Sequence, residues 1–293
     1  CTLALICDVS EALLGLDLNG LGSGTPLFPS PDGTNTTLNL YSETKSIAFS
    51  GEQVISSDSF QRLTTSQRLE KIDSYIEVKD YGLALDEPHT SLELGVKYTK
   101  VMRLFGFGTQ LTAQGLLEAG LEADAGTLGT DSREGVVATG RRTGEFLIFK
   151  PRGGLKMAVA DWASVKWDVI SQYSDNKQLP LQQQFFLGGG SGLSAYLPGV
   201  LVGDSGLYTK LALESNGLPF AGLNFTPVVF VEYGQAWYED AAGSAGDVRA
   251  IADAGFSVKL ELGKTFETEL IAATPMYDDN LDEKSLSALE VDF

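Results

Sequence analysis

The stretch Ala254–Gly263 reads AGFSVKLELG. Phe256, Val258, Leu260 and Leu262 take every second position, and Ser257, Lys259 and Glu261 take the positions between. Successive side chains of a β-strand point to opposite faces, so this segment has one apolar face and one polar face. A helix would have spaced its apolar residues three and four apart. The segment is also about as long as a tilted strand that crosses a membrane.

The same period runs outward in both directions. Downstream lie TFETELIAATP (Thr265–Pro275) and SLSALEVDF (Ser285–Phe293). Upstream lie NFTPVVFVEYGQAWYE (Asn224–Glu239), GLYTKLALES (Gly206–Ser215), Trp162–Tyr173 and Glu145–Ala158. In Trp162–Tyr173, Val165, Trp167, Val169 and Tyr173 oppose Lys166, Asp168 and Gln172. Farther back, Phe107–Asp124, Ser91–Lys100 and Ser74–Glu87 alternate in the same way. Thr37–Ser50 also reads as a strand, whereas Ser57–Lys71 is ambiguous between a helical turn and a polar strand. Ala125–Gly144 reads as a long polar loop. About twelve spanning-length segments result, within the range of outer-membrane barrels. Aromatic residues at segment ends (Tyr173, Trp237, Tyr238, Phe266) suit interfacial girdles.

A soluble β-sandwich alternates too. Segment length favours instead an all-β, antiparallel transmembrane β-barrel of the outer-membrane type, expected as a single domain over 1–293. No run of 18 or more apolar residues is present for a membrane helix. The formal charge of −18 argues against nucleic acid as a partner, since phosphate backbones need a basic surface. The two cysteines, Cys1 and Cys7, support neither a disulfide framework nor a four-ligand zinc site. Without a visible signal peptide, the chain is expected to be a mature or truncated piece.

One stretch breaks the pattern: Leu181–Tyr208, LQQQFFLGGGSGLSAYLPGVLVGDSGLY. Its glycines suit positive φ and close backbone approach, and its length suits an ordered, functional loop. Its apolar residues would form an exposed patch in water, so the loop is expected to fold into the barrel, with Leu193–Tyr196 near Glu232. GDSG at Gly203–Gly206 spells a serine-protease motif, but the one histidine, His89, sits in the turn-like DEPHT and reads as solvated. GGGSG lacks the lysine of a phosphate-binding loop. Asp278, Asn280 and Asp282 open like a calcium loop, but Glu283 and Leu289 stand where glycine and glutamate belong. No enzyme, cofactor or metal site is therefore expected.

The loop and the strands after it resemble the TpsB two-partner-secretion transporters, the haemolysin secretion and activation proteins. Gln184-Phe185, Gly188-Gly189, Tyr196 and Gly203-Asp204-Ser205-Gly206 match the family's loop. VFVEYG (Val229–Gly234) and AATP (Ala272–Pro275) are similar to its later strands. The resemblance covers about residues 73–293; residues 1–72 match poorly, and the family's periplasmic POTRA domains are not found. The tip arginine and glycine of the family are Ser194 and Ala195 here, and the strand aspartate is Glu232. The resemblance implies a site of Leu193, Ser194, Ala195, Tyr196, Gly203, Asp204 and Gly206, with Glu232 and Gly234 on the facing strand. Since Ser194 has no charge, Glu232 is expected to lack its cation and to turn to a hydroxyl, a backbone N–H or water. Phe293, ending the Leu289-Val291-Phe293 face, resembles the terminal assembly signal. The implied function is secretion or activation of a partner exoprotein, haemolysin- or adhesin-like, through the outer membrane of a Gram-negative bacterium. Outer-membrane lipid and the barrel-assembly machinery would be the other partners. The alternative is a passive pore or insertase-like barrel plugged by its loop.

Overall fold

A computed structural model of the chain describes residues 6–12, 40–78, 83–121, 123–129, 142–220, 223–240, 247–262, 266–278 and 289–292. The main sheet is built from β1 (Ile6–Ala12), β2 (Leu40–Ser57), β3 (Gln61–Val78), β5 (His89–Leu104), β6 (Phe107–Gly120), β7 (Leu147–Ala160), β8 (Ala163–Ser174), β11 (Ser205–Ser215), β13 (Leu223–Trp237), β14 (Arg249–Leu262), β15 (Phe266–Asp278) and β16 (Leu289–Asp292). Each pairs antiparallel with the next, in the order just given, so sequence neighbours are sheet neighbours throughout. Two short strands pair at the margins, β4 (Leu83–Asp86) with β3 and β12 (Leu218–Phe220) with β13. The ambiguous segment Ser57–Lys71 is settled as strand: β3 begins at Gln61 and pairs with β2 from Leu40 to Ser57.

Short and long connections fall at opposite ends. Residues 58–60, 105–106 and 161–162 are tight turns; 175–204 and 238–248 are long. In the β5–β6 turn, Phe105 and Gly106 both have positive φ, 53° and 88°. That geometry matches the right-handed twist of a hairpin.

Period two sorts the side chains as a barrel requires. Phe49, Leu94, Val96, Phe149, Trp167, Val229 and Phe256 are exposed on the outer face. Ser257, one residue from Phe256, is 1% exposed. A contiguous apolar outer belt suits lipid and would be a liability in water. The main buried apolar cluster joins Phe185, Leu187, Leu193, Tyr196 and Leu201 of the glycine-rich loop to Tyr208, Phe230 and Ile251 of the sheet. A sandwich would bury its core between two sheets. Here one sheet curls around its own loop. Among the described residues no helix is long and apolar enough to cross a membrane.

Candidate functional site

The loop leaves β8 at the end of the long connections and returns into β11. A 3-10 turn at Leu181–Gln183 leads into β9 (Phe185–Leu187), which pairs antiparallel with β10 (Leu201–Gly203). Between these strands the chain closes on itself. The N–H of Gly188 donates to Gly192 O at 2.8 Å and that of Gly189 to Tyr196 O at 2.9 Å. Gly192 has φ 107°, and a Cβ there would lie 2.6 Å from the Tyr208 ring. Leu193 is held at φ 64° with its side chain fully buried. A non-glycine residue in that conformation needs surrounding structure to hold it, which the packed loop supplies.

Asp204 fastens the loop where it rejoins the wall. Its carboxylate accepts N–H bonds from Leu179 at 2.8 Å and Glu239 at 3.0 Å, and one from the Gln184 amide at 3.4 Å. Burial outweighs these donors and pushes its pKa up to about 6. Ser205 Oγ donates to Glu239 at 2.6 Å, and His89 makes its contacts elsewhere. GDSG is therefore a structural staple. Gly203 and Gly206 are fixed by space: a Cβ on Gly203 would lie 2.5 Å from Trp237 O, and one on Gly206 would overlap the Phe185 ring.

The lead-in is fastened to a different part of the wall. The Leu181 N–H donates to Glu87 Oε2 at 2.7 Å, while Glu87 Oε1 pairs with Arg142 Nη1 at 3.0 Å. His89, read from sequence as a solvated turn residue, is fully buried at the start of β5. Its Nδ1 is 3.1 Å from Glu87 O, its Nε2 is 3.4 Å from Gln183 Nε2, and its ring meets Phe146 edge-on. The loop itself supplies this cover, which a turn-like sequence could not reveal. The Gln182 amide reaches Thr44 on β2 at 3.4 Å and Ser74 on β3 at 3.3 Å.

The tip lies against β13, β14 and β15. Ser194 N–H donates to Glu232 Oε2 at 2.8 Å, and Ala195 N–H donates to Asp253 Oδ2 at 2.8 Å. Tyr196 O–H reaches the carbonyls of Ala252 at 3.3 Å and Tyr277 at 3.1 Å. Burial, with Asp278 and Asp253 nearby, pushes the Tyr196 phenol up to about 12, so it remains a donor. Gly234 leaves room for the loop: a Cβ would lie 2.7 Å from Leu187 Cδ1 and 2.8 Å from Leu193 Cδ1.

Glu232 does not lack a cation. Tyr208 O–H donates to Glu232 Oε1 at 2.6 Å, and Lys210 Nζ lies 2.8 Å from the same oxygen. Lys210 is the direct cross-strand partner of Glu232 and also sits 4.0 Å from the Phe230 ring centroid. The positive charge comes from the wall rather than the loop tip. Only strand register could have exposed this, and likewise the placing of Asp253 directly opposite Glu232.

The loop thus spans the interior, with its lead-in on β2, β3 and β5 and its tip on β13 to β15. On its short-turn side lies a cavity of about 660 Å³ lined by Lys97, Arg152, Lys156, Lys166, Lys210 and Glu232, among others. A second cavity, about 320 Å³, borders Gln182 and Gln183. Among the described residues no group of His, Cys, Asp or Glu is placed to hold a metal ion. Leu193, Ser194, Ala195 and Tyr196 meet Glu232 and Gly234 here, while Gly203, Asp204 and Gly206 hold the loop's return. Phe293 lies outside the described residues, as does the part of the calcium-like loop from 279 to 288.

Comparison with known proteins supplies a context for this geometry. A family model, haemolysin secretion/activation protein ShlB/FhaC/HecB, matches residues 25–262, and so reaches well upstream of residue 73. A search of curated proteins found no match. The fold is similar to CdiB from Escherichia coli, with TM-score 0.66 and 14% identity over 82% of this chain and 43% of that one. It is also similar to CdiB from Acinetobacter baumannii, with TM-score 0.58 and 15% identity over 85% of this chain and 41% of that one. The chain therefore spans less than half the length of either structure.

Proposed function

The chain belongs to the family of haemolysin secretion/activation proteins, and from that premise we propose that it is the barrel part of a two-partner-secretion transporter. Its cargo would be a partner exoprotein, moved in extended form across the outer membrane of a Gram-negative bacterium. The carrying observation is the loop, which crosses the interior and is fastened to both sides by polar contacts.

These fastenings suit a removable plug better than a fixed core. The tip is held by main-chain N–H groups on carboxylates, by one tyrosine hydroxyl and by a wall whose inner face carries water-compatible side chains. Such bonds can be exchanged for water or for another polypeptide at modest net free energy, about 1.5–3 kcal/mol for each bond to a carboxylate. The inner wall offers charged and amide side chains along which an extended chain could pass. Short turns mark the periplasmic end and long connections the cell surface, by the usual asymmetry of such barrels. The residues carry binding and gating roles and no chemical step.

The test is conductance. The chain in planar bilayers should open to larger and longer currents when Leu181–Val202 is deleted. An open porin, in which the loop matters little to the path, would conduct alike with and without it, and that result would reject the reading.

A further inference from the structure

Like charges meet at several places on the inner wall, with Lys210 and Lys259 standing among the acidic residues of β13–β15. Lys156 on β7 and Lys166 on β8 stand directly opposite each other. On the far sector, Glu232 faces Asp253 across β13 and β14, and Glu261 faces Glu267 across β14 and β15. Like charges placed opposite on a ladder are destabilising. The Glu232–Asp253 pair is relieved by Lys210 and by N–H groups of the loop, whereas among the described residues the lysine pair has only sideways neighbours, Glu214 at 2.7 Å from Lys156 and Asp168 at 3.0 Å from Lys166. A further acidic pair, Glu93 and Glu118, borders the other cavity and is interleaved with Arg68 and Lys150.

Two more cations join the lysines. Lys97 on β5 and Arg152 on β7 stand at one level, each paired with Gln114 of β6. Neither makes an ion pair among the described residues. Lys97, Arg152, Lys156 and Lys166 all line the cavity of about 660 Å³ on the short-turn side of the loop. This basic strip runs against the trend of a chain whose formal charge is −18.

We propose that the strip is a docking station for an acidic stretch of extended polypeptide. It rests on the transport reading for one point only, that the anion is part of a polypeptide. Spacing supports it. Strands lie about 4.8 Å apart, so Lys97 and Arg152, two strands apart, are separated by about 10 Å, and four residues of β7 put Lys156 about 13 Å from Arg152. An extended chain carries same-face side chains about 7 Å apart, so acidic residues four positions apart reach both Arg152 and Lys156. Arg152 can grip a carboxylate with two N–H groups, and the acidic sector opposite repels the same segment toward the strip. Selection would be by charge pattern rather than by residue identity.

The test is fluorescence anisotropy of labelled decaglutamate with the detergent-solubilised chain at low ionic strength, where screening is weak. Decaglutamate should bind and decalysine should not. The double variant Lys97→Gln/Arg152→Gln should raise the Kd about tenfold or more, as loss of charge-assisted contacts predicts. The charge-preserving Lys97→Arg/Arg152→Lys variant should bind far more nearly as the parent does than the glutamine variant, and Lys177→Ala, which lies in the long connection after β8, should bind as the parent does. Equal binding of decalysine, no binding of decaglutamate, or a Kd unmoved in the glutamine variant would overturn the proposal. Binding retained in a chain that fails the conductance test would leave the strip standing and count against the transport reading alone.

Discussion

Lys210 stands directly opposite Glu232 across β11 and β13, and its ammonium lies 2.8 Å from the carboxylate that also receives the loop tip. One side chain therefore neutralises the group on which the plug depends. Lys210→Met should leave Glu232 buried without its cation. Removing one partner of a fully buried pair costs about 3–5 kcal/mol; Lys210 is a quarter exposed, so about 1–3 kcal/mol is expected. The loss should appear as a lower heat-modification midpoint in detergent, with recovery in Lys210→Arg. Ser194→Ala should change the midpoint little, because among the described residues it is the Ser194 N–H that is engaged.

Asp204 makes stability depend on pH. Its folded pKa of about 6 lies above the ordinary 3.8, so the folded protein holds the proton more tightly than the unfolded chain. The contribution is whole below about pH 4 and is lost as pH rises through about 6, a loss of about 3 kcal/mol at most. Melting between pH 4 and pH 7 should show this decline. In Asp204→Asn the decline should flatten, and an unchanged pH profile in that variant would remove Asp204 as its source.

Gly206 has no room for a side chain, since a Cβ there overlaps the Phe185 ring. Gly206→Ala should push β9 off the wall and cost about 1–3 kcal/mol, the usual range for overpacking. It should also raise conductance, because β9 forms part of the plug. Gly153→Ala, where a Cβ would meet nothing within 4 Å, should do neither.

The two faces of β14 should respond oppositely to charge. Val258→Arg, on the outer face, should cost about 2–4 kcal/mol if it lies near mid-membrane. Lys259→Arg, on the inner face and 3.3 Å from Glu214, should be nearly neutral. Equal folded yields from the two variants in lipid vesicles would disprove the assignment of faces.

The sheet was legible because the membrane and the interior impose opposite polarities on successive residues. Where that rule weakens, so did the reading. On β3 the outer positions Thr65 and Gln67 are polar, and a bulge between Val54 and Ser56 on β2 shifts the register beside them. The segment therefore lost its alternation. The loop was legible as glycines with no regular period. Its fastenings were not, because they depend on which residues lie opposite across the ladder. Lys210 and Asp253 become visible only once β13 is set against β11 and β14. His89 misled because DEPHT has the composition of a turn, and nothing local announces that Gln183, far along the chain, will cover it.

The tip's hold through peptide N–H groups has a consequence for how this protein can vary. Glu232 and Asp253 recognise main chain, which almost every residue supplies. Positions 194 and 195 are thus constrained in bulk, being buried, and hardly in chemical character. A charged residue can drift to serine there without releasing the tip, provided that Lys210 balances Glu232. Proline alone is barred on principle, because it has no N–H to give.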